Sequence, residues 1–301
     1  MSTDDMTAEL HSTELPNGET ISYREREGGT IPLLLLHGNQ TSSKHWDVLL
    51  EAMDPEYKLY AMDMRGFGAS SYETQIDSIA NFANDVEMFV DELDLEAFHL
   101  MGWSTGGGVA MEFAADHPDR VRKLVLMAPV STRGYPIYRK DENGEPTDEF
   151  LTTREEIAED PIQVMPVAEA QRTNDGATMR AIWEQLIYTH NQPEPARYDE
   201  YVEDMLTQRN IVDVDYALAQ FNISEEDNGV TEGTGKATEI DMPTLVLRGE
   251  RDLVITEEMV KQTVADIGAN AELLVLDDCG HSPLIDDLDQ LLYEVTTFIE
   301  S

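Results

Sequence analysis

Along the chain, short apolar runs alternate with longer segments in which apolar residues recur every three or four positions. The runs are "IPLLLLHG", "YKLYAMDMRG", "AFHLMGWS", "KLVLMAPV", "PTLVLRGERD" and "AELLVLDD". They are rich in Leu and Val, the pattern of strands covered on both faces. Between them, "IANFANDVEMFVDEL" repeats at helical spacing, and "GGVAMEFAADHP" runs up to Pro118, which stops a helix. Strand then helix, repeated, predicts an α/β fold: a mostly parallel sheet with helices on both faces. Upstream, "AELHSTELPNGETISYRE" forms two alternating runs around Asn17-Gly18, a hairpin signal. No internal repeat is found.

The rhythm breaks between about Ser131 and Val230, where no strand-like run of comparable strength occurs. This block reads as a helical insertion. The predicted organisation is a first core part over 1–130, a cap over 131–230 and a second core part over 231–301. Within the cap, Met179, Ile182, Trp183, Leu186, Ile187 and His190 share one stripe, and Tyr201, Val202, Met205 and Leu206 another. A cap lying over a sheet would turn part of such stripes toward a pocket. "KDENGEP" and "EEDNGVTEGTGKATE", charged and glycine-bearing, read as flexible connections.

Composition changes the picture in one respect. Against 61 acidic residues stand only 20 basic ones, for a net charge of -41. The acids are scattered through nearly every predicted helix and loop, which argues against a disordered acidic tail. Such a surface repels itself at ordinary ionic strength, whereas at molar salt the screening length falls to about 3 Å. The expectation is adaptation to a salt-filled cytoplasm. No basic face is available to displace counterions, so nucleic acid is a poor partner. The N-terminal MSTDDMTAEL has neither a basic nor an apolar leader region, and no run approaches the roughly 18 apolar residues of a membrane span. A cytoplasmic protein with no membrane span is expected. Its single cysteine, Cys279, excludes an intramolecular disulfide.

Candidate chemistry gathers where predicted strands end. In "GWSTGGG", Ser104 follows one strand and precedes a helix, with Gly102 and Gly106 two residues away on either side. A sharp strand-to-helix turn would make side chains at those two positions collide. The P-loop lysine and the G-x-G-x-x-G spacing are both missing, so a phosphate loop is disfavoured. A serine nucleophile needs a base, and the base needs an orienting carboxylate. Asp252 follows "PTLVLRGE" and His281 follows "AELLVLDD", and carboxyl ends of parallel strands share one edge. Glu250, Asp277 and Asp278 are rivals for the carboxylate. For the oxyanion, main-chain donors are expected from Thr105, next to the serine, and Asn39 in the loop after "LLLLHG", with Gln40 as the alternative. His37 is expected to brace that loop, His190 is a weak candidate for substrate contact, and "MDMRGFGAS" is expected to be a scaffold turn. There is no H-E-x-x-H, cysteine pair or EF-hand loop, and acyl transfer on a serine requires no cofactor and no metal.

Together HGN (37–39), DMRGFGAS (63–70), GWSTGG (102–107), GERD (249–252) and GHSP (280–283) resemble the α/β-hydrolase fold, in which Ser, Asp and His follow in this chain order. "GYPIYRKDENGEP", "LIYTHNQPEPARYDEYVEDMLTQRN", "VDVDYALAQFNIS" and "HGNQTSSKHW" look like intracellular poly(3-hydroxyalkanoate) depolymerases of spore-forming bacteria. That resemblance implies hydrolysis of a short-chain polyester or its oligomers. Two departures stand out: Thr105, where that group has a bulkier Met, and the acidic excess. "HGNQTSSKHW" is also similar to haloalkane dehalogenases. Those need an Asp nucleophile, since a serine would form an ether that water cannot cleave in this way. The expected function is therefore a serine hydrolase of carboxylic esters. The alternatives are another small-molecule hydrolase, such as a thioesterase, peptidase or perhydrolase, and a non-catalytic binding protein on the same scaffold.

Overall fold

The computed structural model describes residues 8–301. The chain opens with β1 (Glu9–Glu14), β2 (Thr20–Arg26) and β3 (Ile31–Leu36), followed by α1 (Asp47–Ala52), β4 (Tyr57–Met62) and α2 (Ile79–Glu92). Next come β5 (Phe98–Trp103), α3 (Thr105–Asp116) and β6 (Val121–Met127). An excursion follows: β7 (Tyr138–Lys140), β8 (Pro146–Phe150), α4 (Arg154–Ala158), α5 (Met165–Thr173), α6 (Gly176–Leu186), α7 (Pro195–Met205) and α8 (Ile211–Gln220). The chain then returns through β9 (Thr244–Gly249), α9 (Glu257–Ile267), β10 (Ala271–Leu276), α10 (Pro283–Asp286) and α11 (Leu288–Glu300).

Eight strands form one sheet in the order β1-β2-β4-β3-β5-β6-β9-β10. β1 and β2 enter antiparallel, paired across the Asn17-Gly18 turn, and every pair from β4 to β10 is parallel. The six apolar runs are β3, β4, β5, β6, β9 and β10. Burial divides them: Leu33 to Leu36 on central β3 are wholly enclosed, while β10 is an edge strand with Val275 exposed. An apolar run alone does not distinguish centre from edge. From β4 the chain passes over β3 to form β5 on its other side, and such a reversal opens a crevice at the carboxyl ends of the strands. Register brings those ends level, with Leu36 beside Gly102, Trp103 beside Met127, Met127 beside Leu247, and Gly249 beside Leu276.

The excursion differs from its sequence reading in two places. "KDENGEP" is the turn of the β7-β8 hairpin, with Asp141 Oδ1 accepting from the N–H groups of Asn143 and Glu145. Its strands are short and polar, so they carry no apolar signal. "EEDNGVTEGTGKATE" is held together by side chains. Asn222 Nδ2 donates to the carbonyls of Glu226 (2.7 Å) and Thr231 (3.1 Å), and Asn228 Nδ2 to that of Arg133 (2.9 Å). Amide side chains take the place of a backbone ladder there.

Candidate active site

β5 is fully buried and delivers Ser104 to the carboxyl edge of the sheet. The serine has φ 54 and ψ -116, a conformation costly for a residue with a side chain. Neighbours hold it there: its N–H donates to Met127 O (3.0 Å), and its carbonyl accepts from Gly107 (2.9 Å) and Val130 (3.1 Å). Glycine at 102 and 106 is a steric need. A Cβ on Gly102 would lie 2.3 Å from Gly106 O, and one on Gly106 would lie 2.3 Å from Leu36 O. The turn thus presses the start of α3 against the end of β3.

Asp252 and His281 leave the ends of β9 and β10, and their buried side chains meet, with His281 Nδ1 2.9 Å from Asp252 Oδ2. The other carboxylate oxygen accepts from the N–H groups of Val254 (2.8 Å) and Ile255 (2.9 Å). Burial pushes the Asp252 carboxyl up, but the charge and hydrogen bond of the His281 ring and these two amides outweigh it, and the net shift is downward. An ionised partner at Nδ1 fixes the tautomer that leaves Nε2 able to accept a proton. Trp103 Nε1 donates to His281 O at 2.9 Å, tying the ring's backbone to the strand that carries the serine. The rivals stay away: Glu250, Asp277 and Asp278 are exposed, and Asp278 pairs with Arg251.

Ser104 and His281 form walls of one cavity of about 300 Å³. No hydrogen bond joins Ser104 Oγ to the ring, whose Nδ1 is taken by Asp252. Gly38, Asn39, Thr105, Trp183 and Asp215 share the lining. Thr105 is the first residue of α3, so its N–H has no carbonyl one turn back to bond. Gln40 N–H is engaged by Asn39 Oδ1 (3.0 Å) and Gln208 Oε1 (3.1 Å), whereas Asn39 N–H has no partner among the described residues. Of the two candidate donors in that loop, Asn39 is therefore the free one.

His37 behaves as a brace. Its Nδ1 lies 2.8 Å from Gly38 O, its Nε2 accepts from Met64 N–H at 3.0 Å, and burial lowers its pKa to about 4. Asp63 anchors "MDMRGFGAS" by accepting from the N–H groups of Ser43 (2.8 Å) and Ala69 (2.9 Å). Of the two helical stripes in the excursion, Ile182, Trp183, Leu186 and Ile187 reach the cavity, while Tyr201, Val202 and Met205 are buried outside its lining. His190 is placed otherwise than its stripe implies. Helix α6 ends at Leu186, and the ring lies on the surface, 2.8 Å from Arg251 Nη1.

Sequence reasoning passed over the polar groups by which the excursion holds the loop after β3. Gln208 Nε2 donates to Asn39 Oδ1 (2.8 Å), Asn39 Nδ2 to Asp215 Oδ1 (3.0 Å), and Trp183 Nε1 to Gln40 Oε1 (3.0 Å). Around the mouth, Ile162, Leu186 and Leu253 line the cavity and also face solvent. Among the described residues, no group of three or more His, Cys, Asp or Glu is placed to hold a metal, and no helix is long and apolar enough to cross a membrane.

The model for the alpha/beta hydrolase fold matches residues 31–288, which is most of the chain. The chain belongs to that family. Among characterised proteins, the dihydrolipoyllysine-residue acetyltransferase components of the acetoin cleaving system from Cupriavidus necator and Pseudomonas putida are similar, at 35% identity over 38% of this chain and 26% over 91%. Both are longer proteins, of which the matches span 30% and 64%. The pimeloyl-[acyl-carrier protein] methyl ester esterase of Nitrosomonas europaea is 26% identical over 89% of this chain and 95% of its own length. Among solved structures, an esterase from a Rhodococcus species superposes with a TM-score of 0.69 at 27% identity, covering 97% of this chain and 98% of that one. The two relatives matched over nearly their whole length are both named as esterases.

Proposed function

We propose that this hydrolase cleaves carboxylic esters through an acyl-enzyme on Ser104, with residues 131–230 as the cap over its cavity. In this reading His281, oriented by Asp252, takes the Ser104 proton as Oγ attacks the ester carbonyl. The N–H groups of Asn39 and Thr105 receive the oxyanion. His281 then gives the proton to the leaving alcohol, and a water activated by the same ring releases the acid. The observation that carries the reading is the buried Asp252–His281 pair, 2.9 Å apart, opening onto the cavity that also holds a strained Ser104. The esterase relatives favour an ester over other acyl compounds.

The substrate class we infer is short-chain esters, including 3-hydroxyalkanoate oligomers or polyester. A cavity of about 300 Å³ is at the small end for ligand sites, so a polymer would have to enter by a chain end. The acidic surface is consistent with work in a salt-rich cytoplasm. The test is p-nitrophenyl butyrate turnover in molar KCl by the wild type, Ser104→Ala and Asp252→Asn. The expected loss is on the order of 10³-fold or more in kcat for Ser104→Ala, with a large loss also for Asp252→Asn. Undiminished turnover by Ser104→Ala would end the proposal.

A further inference from the structure

The cavity lining includes the apolar side chains of Val167, Ile182, Leu186 and Leu218, yet α8 adds the carboxylic acid of Asp215 to it. One oxygen of Asp215 accepts from Asn39 Nδ2 at 3.0 Å. The other has no partner among the described residues, although the residue lines the cavity. Asp215 is half-buried and that oxygen is accessible, so a polar group of a ligand in the cavity can reach it. Burial, followed by the negative charge of nearby Asp160, pushes the Asp215 carboxyl up to about 7, with the Asn39 bond acting the other way. No cation pairs with Asp215 among the described residues, and Lys140 lies 3.2 Å from Asp160 instead.

Resting on the ester-hydrolase reading, we propose that the free oxygen of Asp215 selects esters that carry a hydroxyl group close to the scissile carbonyl. The distance is set by Asn39. Its main-chain N–H points to the oxyanion position in the proposed mechanism, and its side chain touches Asp215, so the two recognition points lie about one side chain apart. A hydroxyl on a carbon one to three bonds from the carbonyl fits that spacing, on either the acyl or the alcohol side. A hydroxyl also suits the carboxyl better than an ammonium does. It donates to the ionised form and accepts from the protonated one, and it brings no charge into an apolar cavity.

Asp215 thus acts as a specificity residue, and through Asn39 it also positions the oxyanion loop. The experiment separates these. For wild type, Asp215→Leu and Asp215→Asn, kcat/KM is measured on methyl 3-hydroxybutyrate against methyl butyrate, and on 2-hydroxyethyl butyrate against ethyl butyrate. The same ester pairs, with methyl 3-aminobutyrate added, are compared for binding to Ser104→Ala and Ser104→Ala/Asp215→Leu by competition NMR. The expectation is a preference of about tenfold or more for one hydroxylated ester, which identifies the side of the bond. It collapses toward unity in Asp215→Leu and is largely kept in Asp215→Asn, which retains an oxygen for Asn39. Three results would overturn the proposal: no preference in the wild type, an undiminished one in a folded Asp215→Leu, or a preference confined to the amino ester. The binding ratios decide this even if no ester is turned over, which would defeat the ester reading on its own.

Discussion

At the residue scale the most informative side chain outside the chemistry is His37. Its ring is enclosed, accepts from Met64 N–H and sits against Gly38 O, so it is held neutral with a pKa lowered to about 4. In the unfolded chain a histidine titrates near 6.5. Between those values the unfolded state binds more protons than the native one, so His37 costs stability as pH falls through that window, by about 2 kcal/mol at pH 5 relative to pH 7. Urea midpoints at both pH values should therefore differ less in His37→Gln than in the wild type. An equal drop would assign the acid sensitivity to other groups. What could be read at this scale depended on local context. The sharp turn at Ser104 was legible through glycines that sterics demand, and the positions of Asp252 and His281 at the sheet edge through the apolar runs that end just before them. Asp215 was not, because an isolated acid on an amphipathic helix looks like any of the 61 acids in the chain. Its significance comes from Asn39, far away in sequence.

At the scale of elements, the parallel core was legible because buried strands and amphipathic helices differ in period. The β7-β8 hairpin was not, since polar exposed strands have no apolar face to betray them. Neither was the order in the loop around Asn222 and Asn228, whose composition is that of a linker and whose rigidity comes from two amide side chains. The junction of β5 and α3 shows how one element constrains another. Gly106 lies so near the end of β3 that an added methyl would meet Leu36 O at 2.3 Å and His37 O at 2.5 Å, both main-chain atoms that cannot step aside. Gly106→Ala should cost about 2–3 kcal/mol and disturb the loop bearing Asn39. Chemical denaturation and kcat/KM on p-nitrophenyl butyrate should both register it. A variant with wild-type stability and activity would show that the junction is looser than drawn.

Across the whole molecule, scarce basic residues are shared. Arg197 bridges Asp47 and Glu51, Arg154 bridges Asp77 and Asp213, Lys44 reaches Asp47 and Glu200, and Lys236 reaches Glu112 and Asp116. Several of these join the excursion between β6 and β9 to the sheet domain. Added salt weakens such pairs, but it also screens a surplus of 41 negative charges, and the surplus is the larger quantity. The melting temperature should rise from 0.1 M to 2 M KCl by more than about 5 °C, the effect of roughly 3 kcal/mol in a chain of this size. A flat or falling curve would refute adaptation to salt.

The order of the strands has a bearing on synthesis as well. Ser104 is translated early, just after a strand at the middle of the sheet, whereas Asp252 and His281 follow β9 and β10, the last strands made and the outermost on that side. Domains begin to assemble from the N-terminus while the ribosome is still working. A half-finished chain therefore carries Ser104 without His281, and under the proposed mechanism its hydroxyl has no base until the far edge of the sheet has been laid down.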